Sequence, residues 1–398
     1  MSYLGATARY LGDIEKGKDL LEKSIVIYQT NQENCIGSAR AMSYLGDINR
    51  ILGNYDKAKS LLEKSIAIYQ QNHANHKGAA RAMIYLGKVY RDIGNYSKAK
   101  DVIEQSIIIY QKRQDDINTA FSIACLGDIQ KELGNYDKAE ALLEQSITIY
   151  NSYPKSSPYN IGWTLSYLGT VYDMLGDYNK AKNAFEQSIT IYERYYGKND
   201  HINIGWILTN LGNVHRELGN YDKAKDLIEH GFKIHKLYFH KDHPDIGWNL
   251  LYLGKAYNSL GDDKKARAYL EQSLAIYKKH YGEYHIQIAR VLSALGENYL
   301  LQTNTLEYAE NIITKAKDIF QKEKHPEIRI PLEFLGDLYS KKAQIAKSRN
   351  DIQLLEDFRM QSTNHFKQAL EYAQTYLTKD SAHIIRLNKK LMLISHYY

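Results

Sequence analysis

Residues 165–188, LSYLGTVYDMLGDYNKAKNAFEQS, contain the pattern that organises the chain. Leu165, Leu168, Gly169 and Tyr172 stand at i, i+3, i+4 and i+7, which is one face of a helix. Gly176 and Asp177 then supply a turn, because a residue without a Cβ enters the left-handed region at no steric cost. Ala181, Phe185, Ser188 and Tyr192 follow at i, i+4, i+7 and i+11, the face of a second helix. The spacing therefore predicts a helix, a glycine turn and a second helix packed back on the first.

The same signature runs outward in both directions. Leu-Gly recurs at Leu4, Leu45, Leu86, Leu126, Leu168, Leu211, Leu253, Leu295 and Leu335, at intervals of 41, 41, 40, 42, 43, 42, 42 and 40 residues. Seven residues after each of the first seven of these glycines stands a second one, Gly12, Gly53, Gly94, Gly134, Gly176, Gly219 and Gly261. Periods of this length are the mark of a repeat architecture. The first glycine of each unit faces Ala and Ser on the second helix, as Gly46 faces Ala58 and Ser65, so two helix backbones can approach closely.

Composition agrees with repetition and excludes several classes. Apolar residues make up 44% and charged residues 25% of the 398, which rules out a mostly disordered chain. Tyr is abundant at 35 because it recurs within every unit, whereas the 5 prolines lie at unit joints, where a missing N–H does no harm. Cys35 and Cys125 cannot form a disulfide framework and suit a reducing compartment. No stretch of 18 apolar residues and no signal-like start is present, so no membrane span and a cytoplasmic location are expected. A net charge of +6 spread over so long a chain does not point to nucleic acid.

Leu165, Leu168-Gly169, Tyr172, Gly176, Tyr178, Ala181, Phe185 and Ser188 together resemble the tetratricopeptide repeat family, and the likeness covers nearly the whole chain. It implies an all-α fold, a right-handed α-solenoid superhelix of stacked antiparallel helix pairs. The period exceeds the usual value of about 34 residues. Longer helices preceded by His201, His243-Pro244, His285 or His325-Pro326 are similar to the repeats of kinesin light chains and of bacterial signalling proteins. The expected organisation is a truncated first unit over 1–34, seven full units over 35–323, a divergent unit over 324–378 with a charged insertion, and a terminal capping helix over 379–398.

Chemistry is sparse. Gly12 to Lys18 nearly spells a phosphate loop, but residue 19 is Asp and the segment coincides with a repeat turn. His230, His235, His240 and His243 cluster, as do His73 and His76, without the cysteine or carboxylate companions a zinc site wants. No nucleophile motif or paired carboxylate stands out. No catalytic, cofactor or metal residues are expected, and an enzyme is not.

The resemblance places the first helices on the concave side, with inward residues at offsets of minus five, minus two, plus two and plus five from each repeated Leu. Partner-contacting candidates on that face are Arg40, Arg50, Arg81, Lys88, Arg91, Lys131, Asn213, Arg216 and Asn258, with Trp163, Trp206 and Trp248 sharing one register in successive units. The three tryptophans fit either a ladder of anchors for a bound peptide or seals between neighbouring helices. From Arg40 to Lys131 the inward set carries six basic residues against two acidic ones, which suits an acidic partner segment at the N-terminal end. Asn210 and Asn213 lack the basic pair of a carboxylate clamp on the following unit, where Trp248 and Tyr252 stand. The expected function is a non-catalytic scaffold that binds a peptide or partner protein in the concave groove. The alternative is the sensor or regulatory arm of a larger signalling protein.

Overall fold

A computed structural model describes residues 2–10, 13–30, 35–72, 76–153, 158–197 and 201–397. All regular structure among them is helical. First helices alternate with second helices: α1 (Ser2–Tyr10) and α2 (Ile14–Thr30), α3 (Cys35–Ile51) and α4 (Tyr55–Asn72), α5 (Lys77–Asp92) and α6 (Tyr96–Lys112), α7 (Asp116–Glu132) and α8 (Tyr136–Asn151), α9 (Pro158–Leu175) and α10 (Tyr178–Tyr196). They continue as α11 (Ile202–Glu217) and α12 (Tyr221–Tyr238), α13 (Pro244–Leu260) and α14 (Asp263–Tyr281), α15 (Ile286–Leu300) and α16 (Leu306–Lys322), α17 (Arg329–Ser348) and α18 (Ile352–Tyr376), and end with α19 (Ala382–Tyr397). None of the described helices is long and apolar enough to cross a membrane.

The residues group into two compact units, one of Met1–Gly169, Ala184–Ile207 and Lys233–His243, the other of Thr170–Asn183, Leu208–Phe232 and Pro244–Tyr398. Within each, a helix packs on its pair partner through the small residues of the repeat. A Cβ built on Gly212 would lie 2.5 Å from Ile228 and 2.9 Å from the Ala224 carbonyl oxygen, so glycine is what permits the approach of α11 to α12. The repeated serine adds a polar tie. Ser65, Ser146, Ser188 and Ser273 donate to the carbonyls of Ala39, Ala120, Gly162 and Gly247 at 2.6–2.9 Å, four equivalent bonds from second helix to first. Ala224 is fully buried at the same seam, and Ala224→Leu is expected to cost about 1 to 3 kcal/mol by overpacking. An unchanged midpoint of urea unfolding would contradict this packing.

The turn glycines Gly53, Gly94, Gly134, Gly176, Gly219 and Gly261 all have φ between 75 and 82°. Gly12 lies outside the described residues, and Gly17 and Lys18 of the near phosphate loop sit inside α2. Where the ninth pair lacks a turn glycine, the charged stretch after Ser340 lengthens α17 and α18 instead of forming a loop, and Asn350 takes the left-handed turn at φ 56°.

The histidines that precede units have a structural task. Nδ1 of His76, His201, His285 and His325 accepts the N–H of Gly78, Asn203, Gln287 and Glu327 at 3.0–3.2 Å, capping the next helical turn. The same rings stack on the aromatic residue closing the previous helix, His201 on Tyr196 at 3.9 Å and His285 on Tyr281 at 4.2 Å. Of the histidine cluster, His235 bonds the Ile202 carbonyl and His243 stacks on Phe239 and bonds the Ile51 carbonyl. His73 lies outside the described residues.

Candidate functional site

In the first unit, the inward face carries an ion network. Arg50 pairs with Asp47 at 2.8 Å and with Asp92 at 2.9 Å. Arg91 pairs with Asp92 and Asp128 and donates to the Tyr167 hydroxyl at 3.1 Å. Lys131 pairs with Asp128 and Glu132, both at 2.9 Å. These contacts hold the Asp92 carboxyl below its ordinary range against the opposing effect of burial. Arg81 donates to the Tyr44 hydroxyl, and Arg40 lies 4.7 Å from the Tyr3 ring. The basic excess expected at this end is therefore offset by Asp92 and Glu132. Both stand one residue beyond the register counted as inward, and the recurring pairs Arg91-Asp92, Lys131-Glu132 and Arg216-Glu217 were the signal for them.

Lys88 differs from its neighbours. Its ammonium sits 4.8 Å from the centres of both the Phe121 and Trp163 rings, and among the described residues it has no ion pair. Burial pushes its pKa down. The aromatic run continues from Phe121 to Trp163 at 5.2 Å, Trp163 to Tyr167 at 4.4 Å and Tyr167 to Trp206 at 5.5 Å. Tyr167 thus links two tryptophans of successive first helices. Trp163 is 9% exposed, while Trp206 is half-buried.

In the second unit, inward residues enclose a cavity of about 580 Å³. Its walls include Asp173, Asn213, Arg216, Leu251, Lys255, Arg290, Ser293, Glu297 and Leu300, which stand at the inward offsets of four successive first helices. A volume of this order is that of a ligand pocket. Most charges inside it are paired. Arg216 bonds Asn213 and Glu217, Arg290 grips Glu327 with two bonds at 2.9 and 2.7 Å, and Arg386 and Lys390 of α19 hold Glu333 at 2.8 Å each. Glu333 is accordingly pulled down to about 2, although burial opposes it. Asp337, next to Glu333 and Lys390, is pushed up to about 6, chiefly by burial.

Asp173 is the extreme case. Burial, reinforced by Glu217, pushes its carboxyl up to about 7, and a 3.0 Å bond from the Asn213 amide only partly opposes this. Lys255, whose one close partner among the described residues is the Tyr252 ring at 5.1 Å, is pushed down by burial. Asn258 is tied to α15 through the Ala294 carbonyl and Asn298, and it is not among the cavity walls. Trp248 packs on Tyr252, and its indole N–H is buried without a hydrogen bond among the described residues.

The family model described as tetratricopeptide repeat matches residues 1–71, 37–112, 116–194 and 203–279, well over half of the chain. The chain belongs to the tetratricopeptide repeat family. No curated protein matches it in sequence. Among solved structures, it is similar to a Rap protein complexed with competence and sporulation factor (12% identity, 93% of this chain and 98% of that chain, TM-score 0.62). It is also similar to the apo form of the quorum sensor NprR from B. thuringiensis (17% identity, 80% and 87%, TM-score 0.55). Kinesin light chain-like repeats of Podosopora anserina share 23% identity over 51% of this chain and 97% of that one, with a TM-score of 0.39. At their identities the likeness to the Rap protein and to NprR is one of fold. It agrees with the alternating tetratricopeptide helix pairs described above.

Proposed function

We propose that this tetratricopeptide repeat protein binds a segment of a partner polypeptide on the inward faces of its first helices, with the cavity of the second unit as its main site. The observation that carries the reading is that the periodically spaced inward residues enclose a 580 Å³ space walled by both charges. Leu251, Ala294 and Leu300 provide apolar wall between the charged groups, the mixture that polypeptide backbone and side chains require. The similar Rap protein is complexed with competence and sporulation factor, and the similar NprR is a quorum sensor, which supports a regulatory arm as the second reading. On the first unit, Trp206 is proposed as the more accessible anchor and Lys88 as the cation open to an acidic segment. The division into a truncated unit, seven full units, a divergent unit and a cap is carried forward as part of this proposal.

The test uses a randomised pool of pentapeptides incubated with the intact chain, retained species being measured by ultrafiltration and mass spectrometry. The wild type is expected to retain a subset, and Glu297→Trp, which fills the cavity from a wall residue with no ion pair among the described residues, is expected to retain none of it. Retention unchanged by Glu297→Trp but abolished by Trp206→Ala would move the site to the first unit. No retention at all would defeat the reading.

A further inference from the structure

Arg329, the first residue of α17, is 4% exposed and lines the cavity of the second unit. Among the described residues its guanidinium has neither a hydrogen bond nor an ion pair. The other arginines of the cavity have partners, Arg216 in Glu217, Arg290 in Glu327 and Arg386 in Glu333. Burial and the lack of a partner make the Arg329 charge costly to the empty fold. A residue so placed is accounted for when an anion arrives, because the guanidinium then gains a counter-charge.

The surroundings narrow the anion. The hydroxyl of Tyr178, also on the cavity wall, is buried with no hydrogen-bond partner among the described residues, so a donor stands ready. Asp173, Glu217, Glu297, Glu327, Glu333 and Asp337 share the walls, which disfavours a dianion and suits a single negative charge carried by a larger, mostly neutral or cationic body. We infer that Arg329 anchors a carboxylate brought by the ligand of this cavity, with the Tyr178 hydroxyl as a second donor. The inference rests on the peptide-binding reading above. Two sources of that group are possible on a polypeptide, its C-terminus and an Asp or Glu side chain.

Three pentapeptide pools separate them: free C-termini without Asp or Glu, amidated C-termini with Asp and Glu, and amidated C-termini without either. The wild type is expected to retain one of the two carboxylate-bearing pools at least about tenfold over the third, the worth of a charge-assisted pair. Arg329→Gln is expected to remove that preference and Arg329→Lys to keep part of it. Equal retention of all three pools by the wild type overturns the carboxylate assignment while leaving peptide binding intact, and retention of none overturns both. Because the empty site makes Arg329 a burden, Arg329→Gln without peptide is expected to melt at or above the wild-type temperature. A variant that melts well below it would make Arg329 structural and would overturn the assignment.

Discussion

Asp173→Asn is expected to stabilise the protein at pH 8 by about 3 kcal/mol and to change little at pH 4. The carboxyl is displaced from an ordinary 3.8 to about 7 by burial and by Glu217. Between those values the folded chain holds a proton that the unfolded chain has already released, so stability falls as pH rises through the window. At about 1.4 kcal/mol per unit, a shift of some three units sets an upper bound near 4 kcal/mol, and relaxation around the site takes part of it. Asn imitates the protonated acid: its carbonyl still accepts from the Asn213 amide, and its NH2 replaces the acid proton. Asp337, displaced to about 6, adds a slope of the same sign that ends one unit lower. Glu333 acts oppositely, its stabilisation being lost only as pH falls from about 4.5 towards 2. Urea midpoints of wild type and variant at pH 4, 6 and 8 therefore isolate the Asp173 contribution. A wild-type midpoint that rises between pH 6 and 8, or a variant no more stable than wild type at pH 8, would show that Asp173 is ionised in the folded protein.

The same carboxyl shows where sequence reading stops. Repetition placed Asp173 on the inward face, because helix periodicity carries across units, and the cavity wall follows that register from Asp173 to Leu300. Periodicity also located the glycine turns and the small-residue seam, each a local demand of backbone geometry. Burial depth and partnership depend on which side chains arrive from neighbouring units. The basic count at the N-terminal end missed Asp92 and Glu132 for that reason, since a six-residue offset falls beside the counted stripe yet within reach of a long Arg or Lys. Arg329 escaped notice one residue before the inward position held by Ile330, at the start of a helix whose entry is a short 3-10 turn, Pro326–Ile328. The tryptophan register was legible, but the linking of Trp163 to Trp206 by Tyr167 was not, because Tyr167 precedes Leu-Gly in a position that elsewhere reads as ordinary repeat tyrosine.

Arg91→Met is expected to cost about 3 kcal/mol, the lower end for breaking a buried ion pair. Arg91 is central to the first unit's network, reaching Asp92, Asp128 and the Tyr167 hydroxyl, and its side chain is 19% exposed while that of Asp128 is 4% exposed. Methionine fills much of the space and removes the charge, so the loss is electrostatic more than steric. Arg50 remains for Asp92 and Lys131 for Asp128, which holds the cost below the upper end of the range for breaking such a pair. Adding Asp128→Asn to Arg91→Met is expected to restore more than half of the loss, because the stranded carboxylate, rather than the missing arginine, is what the fold cannot solvate. Freed of its bond, Tyr167 should also loosen against Trp163 and Trp206 and shift tryptophan emission to longer wavelength, a change that Asp128→Asn does not reverse. If Arg91→Met costs no more than the 0 to about 1 kcal/mol of an exposed pair, water reaches the network and these charges are available to a ligand. A loss near 3 kcal/mol with recovery in the double variant would mean instead that the cations of this face are committed to the fold, leaving Lys88 and the aromatic run beside it to meet a partner.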